Sequence, residues 1–220
     1  MHDNGRHSVN ILFYGGGILN SVWSDTVKLN SFKRLEGNIK TDVLIIGGGI
    51  AGILCAHMLQ KSGADYVLAE AETICGGITK NTTAKITSQH GLIYDKLIRK
   101  FGIEKSAMYL KGNEAALEEY RKLCKDIDCD FETKSSFVYS LDDRGKIEKE
   151  LKALESLGFH AKFYENIPLP FKIAGAVEFE NQAQFNPLKF IAAIAQGLNI
   201  YEHTQVLKVS ETARSPHAEK

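Results

Sequence analysis

The chain of 220 residues is 44% hydrophobic and 25% charged, which is typical of a globular protein with one large domain or one domain plus a small insertion. Its 27 Lys and Arg residues balance 27 Asp and Glu residues, so no excess of positive charge favours a nucleic acid partner. No apolar run approaches the roughly 20 residues that span a bilayer, and the cysteines lack metal-site spacing, so we expect no membrane span, no metal and reduced thiols in a cytoplasmic protein.

Two stretches near the N-terminus run an apolar strand-like segment into three glycines. The first is "NILFYGGGILNSVW" (residues 10–23), and the second is "DVLIIGGGIAGILC" (residues 42–55). In the first stretch Asn20 replaces the third glycine of a dinucleotide-binding turn, and no strand ending in an acid follows. We therefore predict that residues 1–40 are an N-terminal extension that is in part disordered.

The second stretch has each part of a dinucleotide-binding unit. The run "DVLII" predicts a buried parallel strand, and Gly47, Gly49 and Gly52 form G-x-G-x-x-G. These glycines allow a sharp turn, a close approach of a pyrophosphate to the backbone, and close packing of the following helix. That helix is predicted to end at Gly63, which has the position of a C-terminal cap.

A second predicted strand, "YVLAE", ends in Glu70, where a carboxylate can accept both hydroxyls of an adenosine ribose. The segment after it, "AEAETICGGITKNTTAKITSQHG", is rich in hydroxyl and amide side chains. Such groups need hydrogen-bond partners. A diphosphate with a ribityl chain would supply them, and so would solvent around a turn-rich loop; composition alone does not choose between the two.

The rest of the chain alternates predicted helices and strands. In order they are a helix over Glu104–Ile127, a strand over Phe137–Leu141, a helix within residues 142–158, a β-rich span over Ala161–Asn181, a helix that starts at Asn186 and Pro187, and a strand around Val206.

Four segments together resemble the D-amino-acid oxidase family of FAD-dependent oxidoreductases, which includes glycine and sarcosine oxidases. They are "TDVLIIGGGIAGILCA", "YVLAEAETICGGITKNTTAKITSQHG", "FNPLKFIAAIA" and "YEHTQVLKV". The segment "NTTAKITSQHGLIYDKL" is similar to the corresponding sequence of a subgroup that often carries a C-terminal Rieske iron–sulfur domain. The resemblance covers about residues 41–210 and implies an α/β fold, in which a Rossmann-like FAD/NAD(P)-binding domain contains part of an inserted β-rich substrate domain.

The resemblance also implies a domain division and a set of FAD contacts. The first part of the FAD-binding domain would be 41–130, the partial substrate domain 131–186, the return to the FAD-binding domain 187–210, and a polar tail 211–220. The implied FAD contacts are Gly47, Gly49, Ile50, Ala51, Gly52, Glu70, Ala71, Gly77, Thr79, Thr82, Thr83, Ala84, Lys85 and Val206. Val206 would contact adenine through its backbone.

The implied reaction is oxidation of a C–N bond of an amine or amino acid by hydride transfer to flavin. Lys85 and His90 are the candidate catalytic residues, although a surface lysine and a hydrogen-bonded loop histidine explain them as well. The family's later segments and a Rieske pattern are absent from the sequence, so we expect a truncated enzyme. The alternatives are a non-catalytic FAD-binding fragment, a subunit completed by another chain or an oligomer, and an NAD(P)-binding protein.

Overall fold

The computed structural model describes residues 21–211 and contains two sheets and two hydrophobic core clusters, the larger of which also includes side chains from the antiparallel sheet. Strands β1 (Val43–Ile46), β2 (Tyr66–Ala69) and β7 (Ile200–Tyr201) form a parallel sheet in the order β1-β2-β7. The first glycine triplet and nearly all of the predicted polar tail lie outside the described residues.

Helix α1 (Ile50–Ser62) packs on the parallel sheet, and helix α4 (Pro187–Ile194) packs against α1 in the same core. Ile53 and Ala56 of α1 are completely buried in the larger core. Gly63 ends α1 in the left-handed conformation, as predicted, with a φ of 73°. Asn186 caps α4 by accepting from Leu188 N and Lys189 N, each at 3.2 Å, which confirms the predicted helix start.

The second sheet is antiparallel and is built around a single long strand. Strand β6 (Gly175–Gln184) pairs with β4 (Glu132–Ser140) along its length, and also with β3 (Lys85–Ile86) and β5 (Lys162–Tyr164). Helix α3 (Arg144–Ser156) packs on this sheet around the buried Ile147 and Leu154. Apart from β3, these elements lie within residues 131–186, the span for which the sequence analysis expects a partial substrate domain.

A long helix, α2 (Tyr94–Cys124), packs against α3 and contributes side chains to both cores. Gly102 interrupts it with non-helical dihedrals (φ 83°, ψ 167°), so the predicted Glu104–Ile127 helix is the segment after this kink. The prediction that this helix ends at Ile127 was wrong, because α2 ends at Cys124. Lys125 N donates to Lys122 O in a tighter final turn, and Ile127 lies beyond the helix.

Strand β1 is less buried than its apolar sequence predicts. Ile45 lies in the core, but Leu44 and Ile46 are 47% and 58% exposed. Within residues 21–211, β1 is an edge strand that pairs only with β2, and the face of the strand that carries Leu44 and Ile46 is not covered by another element. The predicted burial is therefore correct for one face of the strand and wrong for the other.

Residues 21–36 are more ordered than the predicted extension. They form no helix or strand, but Trp23, Val27, Leu29 and Phe32 pack against the larger core. The prediction of a strand around Val206 was wrong, since the last strand is β7 and residues 204–210 have no ladder partner in the described structure.

Candidate functional site

The turn between β1 and α1 depends on its glycines for steric reasons. Gly47 has a φ of 102°, and its N–H donates to Ala69 O at 2.9 Å. A Cβ on Gly52 would lie 2.0 Å from Gly47 O, so only glycine lets α1 start this close to the strand. A Cβ on Gly49 would meet nothing nearer than Thr79 Oγ1 at 3.6 Å, which leaves open space beside the backbone.

The carboxylate of Glu70 lies directly against this turn. Its Oε2 accepts from Gly48 N at 2.6 Å, and its Oε1 accepts from Glu72 N at 2.9 Å. The sequence analysis assigned no role to Gly48. A Cβ there would lie 2.9 Å from Ile74 Cγ2, so the middle glycine is required by close packing. The uninterrupted triplet of glycines was the signal for it.

The hydroxyl-rich segment after β2 folds back onto the start of α1. Thr79 Oγ1 accepts from Ile50 N at 3.2 Å, and Cys75 N donates to Gly48 O at 2.9 Å. Burial raises the pKa of the Cys75 thiol to about 11, so this cysteine is held as a neutral, packed side chain. The segment therefore forms one wall of the turn, and Gly77 lies in open space.

A cavity of about 290 Å³ lies between the start of α1, residues 78–87 and helix α2. It has one wall of hydroxyl groups and another of apolar and aromatic side chains. Its lining residues are Ile50, Ile78, Thr79, Thr82, Ala84, Lys85, Ile86, Thr87, Asn113, Ala116, Leu117, Tyr120 and Phe185. Five of the residues predicted to contact FAD therefore line one cavity.

The two candidate catalytic residues lie in different surroundings. Lys85 is exposed and lines the cavity. His90 is also exposed but does not line it; its Nε2 lies 3.2 Å from Asn113 Oδ1, and its ring meets Tyr109 edge-on at 6.4 Å. Asn113 does line the cavity, so His90 reaches it through this neighbour.

The chain near Val206 returns to Glu70. Thr204 N donates to Glu70 O at 2.8 Å, and Val206 is half-buried two residues further on. The buried Glu202 carboxylate, which the sequence analysis missed, accepts from Phe32 N at 2.8 Å and from Ile74 N at 2.7 Å. It ties both the N-terminal segment and the segment after β2 to the end of β7.

None of the described helices is long and apolar enough to cross a membrane. The four cysteines of the sequence all lie in the described residues and are free thiols.

A parallel sheet with a glycine-rich turn, a helix after it and an acid at the end of the second strand defines a dinucleotide-binding protein of the Rossmann type. Residues 42–218 match the FAD dependent oxidoreductase family, also called DAO. The chain belongs to this family, so its cofactor is FAD, and the NAD(P) alternative is wrong.

Similar proteins agree with this assignment. The chain is 35% identical over 203 residues to the putative Rieske 2Fe-2S iron-sulfur protein YhfW of Bacillus subtilis, covering 88% of this chain and 40% of that protein. It is 27% identical over 157 residues to gamma-glutamylputrescine oxidoreductase of Escherichia coli, covering 70% and 35%. The chain thus spans less than half the length of these relatives.

Among solved structures, the L-proline dehydrogenase of P. horikoshii has the same fold over the matched region. The TM-score is 0.61 at 20% identity, and the match covers 76% of this chain and 45% of that protein. The predicted fold class, family and cofactor are confirmed, as is the likeness to Rieske-containing relatives.

Proposed function

We propose that this chain holds FAD at the glycine-rich turn and belongs to an enzyme that oxidises a C–N bond of an amine or amino acid. The observation that carries the proposal is the Glu70 carboxylate, which accepts from Gly48 N at 2.6 Å in the glycine-rich turn of a chain from an FAD-dependent family.

The turn fits a diphosphate. Open space lies beside two of the glycines. A Cβ on Gly47 would meet nothing within 4 Å, and a Cβ on Gly49 would meet only Thr79 Oγ1. The N-terminus of α1 adds the positive end of a helix dipole, and its first N–H, that of Ile50, donates to Thr79 Oγ1 at this same point. We propose that Gly47, Gly49 and the backbone of Ile50 and Ala51 hold the pyrophosphate. Gly52 acts indirectly, by letting α1 approach.

The nucleoside end of FAD would lie beside Glu70. Each carboxylate oxygen accepts one backbone N–H and keeps a further lone pair for a ribose hydroxyl. Ala71 follows this carboxylate directly. The half-buried backbone at Val206 lies two residues after Thr204, which is bonded to Glu70. We propose that Val206 offers its N–H and C=O to the adenine edge.

The segment from Gly77 to Lys85 is proposed to hold the phosphates, the ribityl chain and the edge of the flavin. The Thr79 hydroxyl oxygen accepts from Ile50 N, and its O–H, which also lies within reach of the Cys75 thiol, can donate to a phosphate oxygen. The remaining proposed contacts from this segment are Gly77, Thr82, Thr83, Ala84 and Lys85.

Bound FAD supplies the acceptor for the hydride that leaves the substrate. Lys85 brings a positive charge to the cavity wall, and we propose that it stabilises negative charge that develops there. His90 is proposed to act as a positioning residue, because it reaches the cavity through Asn113. The amine or amino-acid substrate follows from the name of the Escherichia coli relative, which is a gamma-glutamylputrescine oxidoreductase.

A second candidate is an FAD-binding portion that becomes catalytic only when further polypeptide or another copy covers it. The exposed Leu44 and Ile46 on edge strand β1 favour this candidate, because such a face is normally paired or covered. We propose a cytoplasmic location on the basis of the four free thiols. The division into an FAD-binding domain (41–130 and 187–210) and a partial substrate domain (131–186) is also a proposal. It is supported by the two separate sheets, since three of the four antiparallel strands lie in 131–186.

The visible spectrum tests both candidates. The chain is purified with added FAD, separated from free FAD by gel filtration, and mixed without oxygen with putrescine, L-proline, glycine or D-alanine. A flavin band that bleaches with one of these supports the oxidoreductase, and a band that persists with all of them supports the second candidate. Loss of all flavin during gel filtration contradicts both, provided that circular dichroism shows folded protein.

A further inference from the structure

The N-terminal segment carries the single tryptophan of the chain, Trp23, into the structure beside the proposed FAD site. Its indole Nε1 donates to Thr82 O at 2.8 Å, a bond between residues 59 positions apart. The ring is half-buried and packs against the larger core. The segment that precedes the dinucleotide-binding unit thus contacts the backbone of the segment proposed to wrap FAD.

The backbone that receives this bond has an unusual conformation. Ala84 has a φ of 58°, in the left-handed region that non-glycine residues disfavour. Two hydrogen bonds hold Ala84: its N–H donates to Thr82 Oγ1 at 3.3 Å, and its carbonyl accepts at 3.3 Å from the N–H of Phe185, the residue after β6. The indole bond to Thr82 O is the third restraint on this short turn. Strained backbone of this kind persists only where surrounding contacts over-determine it.

The turn lies between two cavities. Thr82 and Ala84 line the cavity proposed for FAD, whereas Trp23 lines a separate cavity of about 170 Å³, which it shares with Thr83 and Ala84. Trp23 therefore contacts the turn without lining the cavity that it helps to shape.

The rest of the segment is attached to the body of the protein independently of Trp23. Phe32 N donates to Glu202 Oε2 at 2.8 Å, and Leu35 N donates to Thr204 Oγ1 at 3.0 Å. Closer to Trp23, Asn186 Nδ2 donates to Thr26 Oγ1 at 3.0 Å. These bonds keep the segment in place when the indole bond is removed, so the effect of the indole can be measured separately.

We propose that Trp23 is a positioning residue for FAD: its indole N–H fixes the turn Thr82–Ala84 in the conformation that receives the cofactor. This inference rests on the proposed function. It gives residues 21–36 a role in cofactor binding, and it predicts that removing one N–H group outside the cavity weakens the hold on FAD.

The test compares Trp23→Phe with Thr26→Val. Phenylalanine keeps a packed ring but has no N–H donor. Valine removes the Thr26 hydroxyl, and with it the bond from Asn186 and the bond to Trp23 O, but leaves the indole bond to Thr82 in place. FAD binding is measured by calorimetry. We expect the dissociation constant for FAD to rise about five- to tenfold in Trp23→Phe, which is the effect of losing one hydrogen bond. In Thr26→Val it should rise less than twofold. An unchanged constant in Trp23→Phe, or equal weakening in both variants, overturns the inference.

A second measurement, on protein without FAD, separates this inference from the proposed function. Hydrogen exchange is followed at the amides of residues 82–85, which should exchange about five- to tenfold faster in Trp23→Phe than in Thr26→Val. Equal exchange in the two variants contradicts the inference. If the parent chain binds no FAD, the proposed function fails, and this exchange comparison still decides whether Trp23 positions the turn.

Discussion

Replacement of Gly52 by alanine tests whether the start of α1 depends on close contact between two backbone segments. The added Cβ would lie 2.0 Å from Gly47 O, whereas Cβ atoms essentially never approach another heavy atom within 3.0 Å. The helix must therefore move away from the turn by about 1 Å, although Ile53 and Ala56 hold it in a fully buried core. A backbone oxygen cannot rotate aside as a side chain would, so we expect a cost of about 3 kcal/mol, at the upper end for overpacking.

Thermal and urea unfolding measure this cost. For a chain of this size, 3 kcal/mol lowers the melting temperature by about 6–12 °C. The matched control is Gly112→Ala in the exposed part of α2, where a Cβ meets nothing within 4 Å. That change should stabilise the protein by about 0.5–1 kcal/mol, since alanine loses less backbone entropy than glycine in a helix. A Gly52→Ala protein within about 0.5 kcal/mol of the parent would refute the reasoning.

Three further predictions concern the cofactor, the pH dependence and the thiols. Gly49→Ala should leave the melting temperature within about 2 °C of the parent, because the added Cβ has room. It should weaken FAD binding at least about 100-fold in calorimetry, because the methyl group fills the space proposed for the diphosphate. Unchanged FAD binding contradicts the proposed site. Asp143 caps α3, and the backbone hydrogen bond from Lys146 lowers the pKa of its carboxyl group. The stability that this cap adds is therefore present above the usual aspartate pKa and is lost as the pH falls through the lowered pKa. The difference in urea midpoint between the parent and Asp143→Ala should shrink on acidification, and a constant difference would show that the cap is not ionised. With Ellman's reagent at pH 8, the exposed Cys55 should react quickly and the buried Cys75, whose pKa burial raises to about 11, should react only on unfolding; rapid reaction of both in the folded protein rules out this packing.

The glycine-rich unit could be predicted from the sequence because its determinants are local. Gly47 and Gly52 are five positions apart, and one clash between them explains the spacing. The start of α4 at Asn186 could be predicted for the same reason, since the Asn186 side chain accepts from the N–H groups two and three residues later. In both places the residue type and its function lie within one turn of chain.

The contacts that the sequence analysis missed join distant positions. Glu202 bonds to Ile74 and Phe32, which lie 128 and 170 positions away, and no periodicity marks such partners. The indole of Trp23 was missed for the same reason. The strand expected around Val206 is an error of the opposite kind, in which a local pattern predicts an element that does not form. Its alternating residues fit a strand, but no neighbouring strand pairs with them in the described structure.

A crystal structure of the chain grown with FAD tests the central claim most directly. The account predicts that both oxygens of the Glu70 carboxylate lie within about 2.6–3.2 Å of the ribose hydroxyls, and that the diphosphate rests against the backbone at Gly49. Density for FAD away from this turn, or a Glu70 carboxylate that does not reach the ribose, would contradict it.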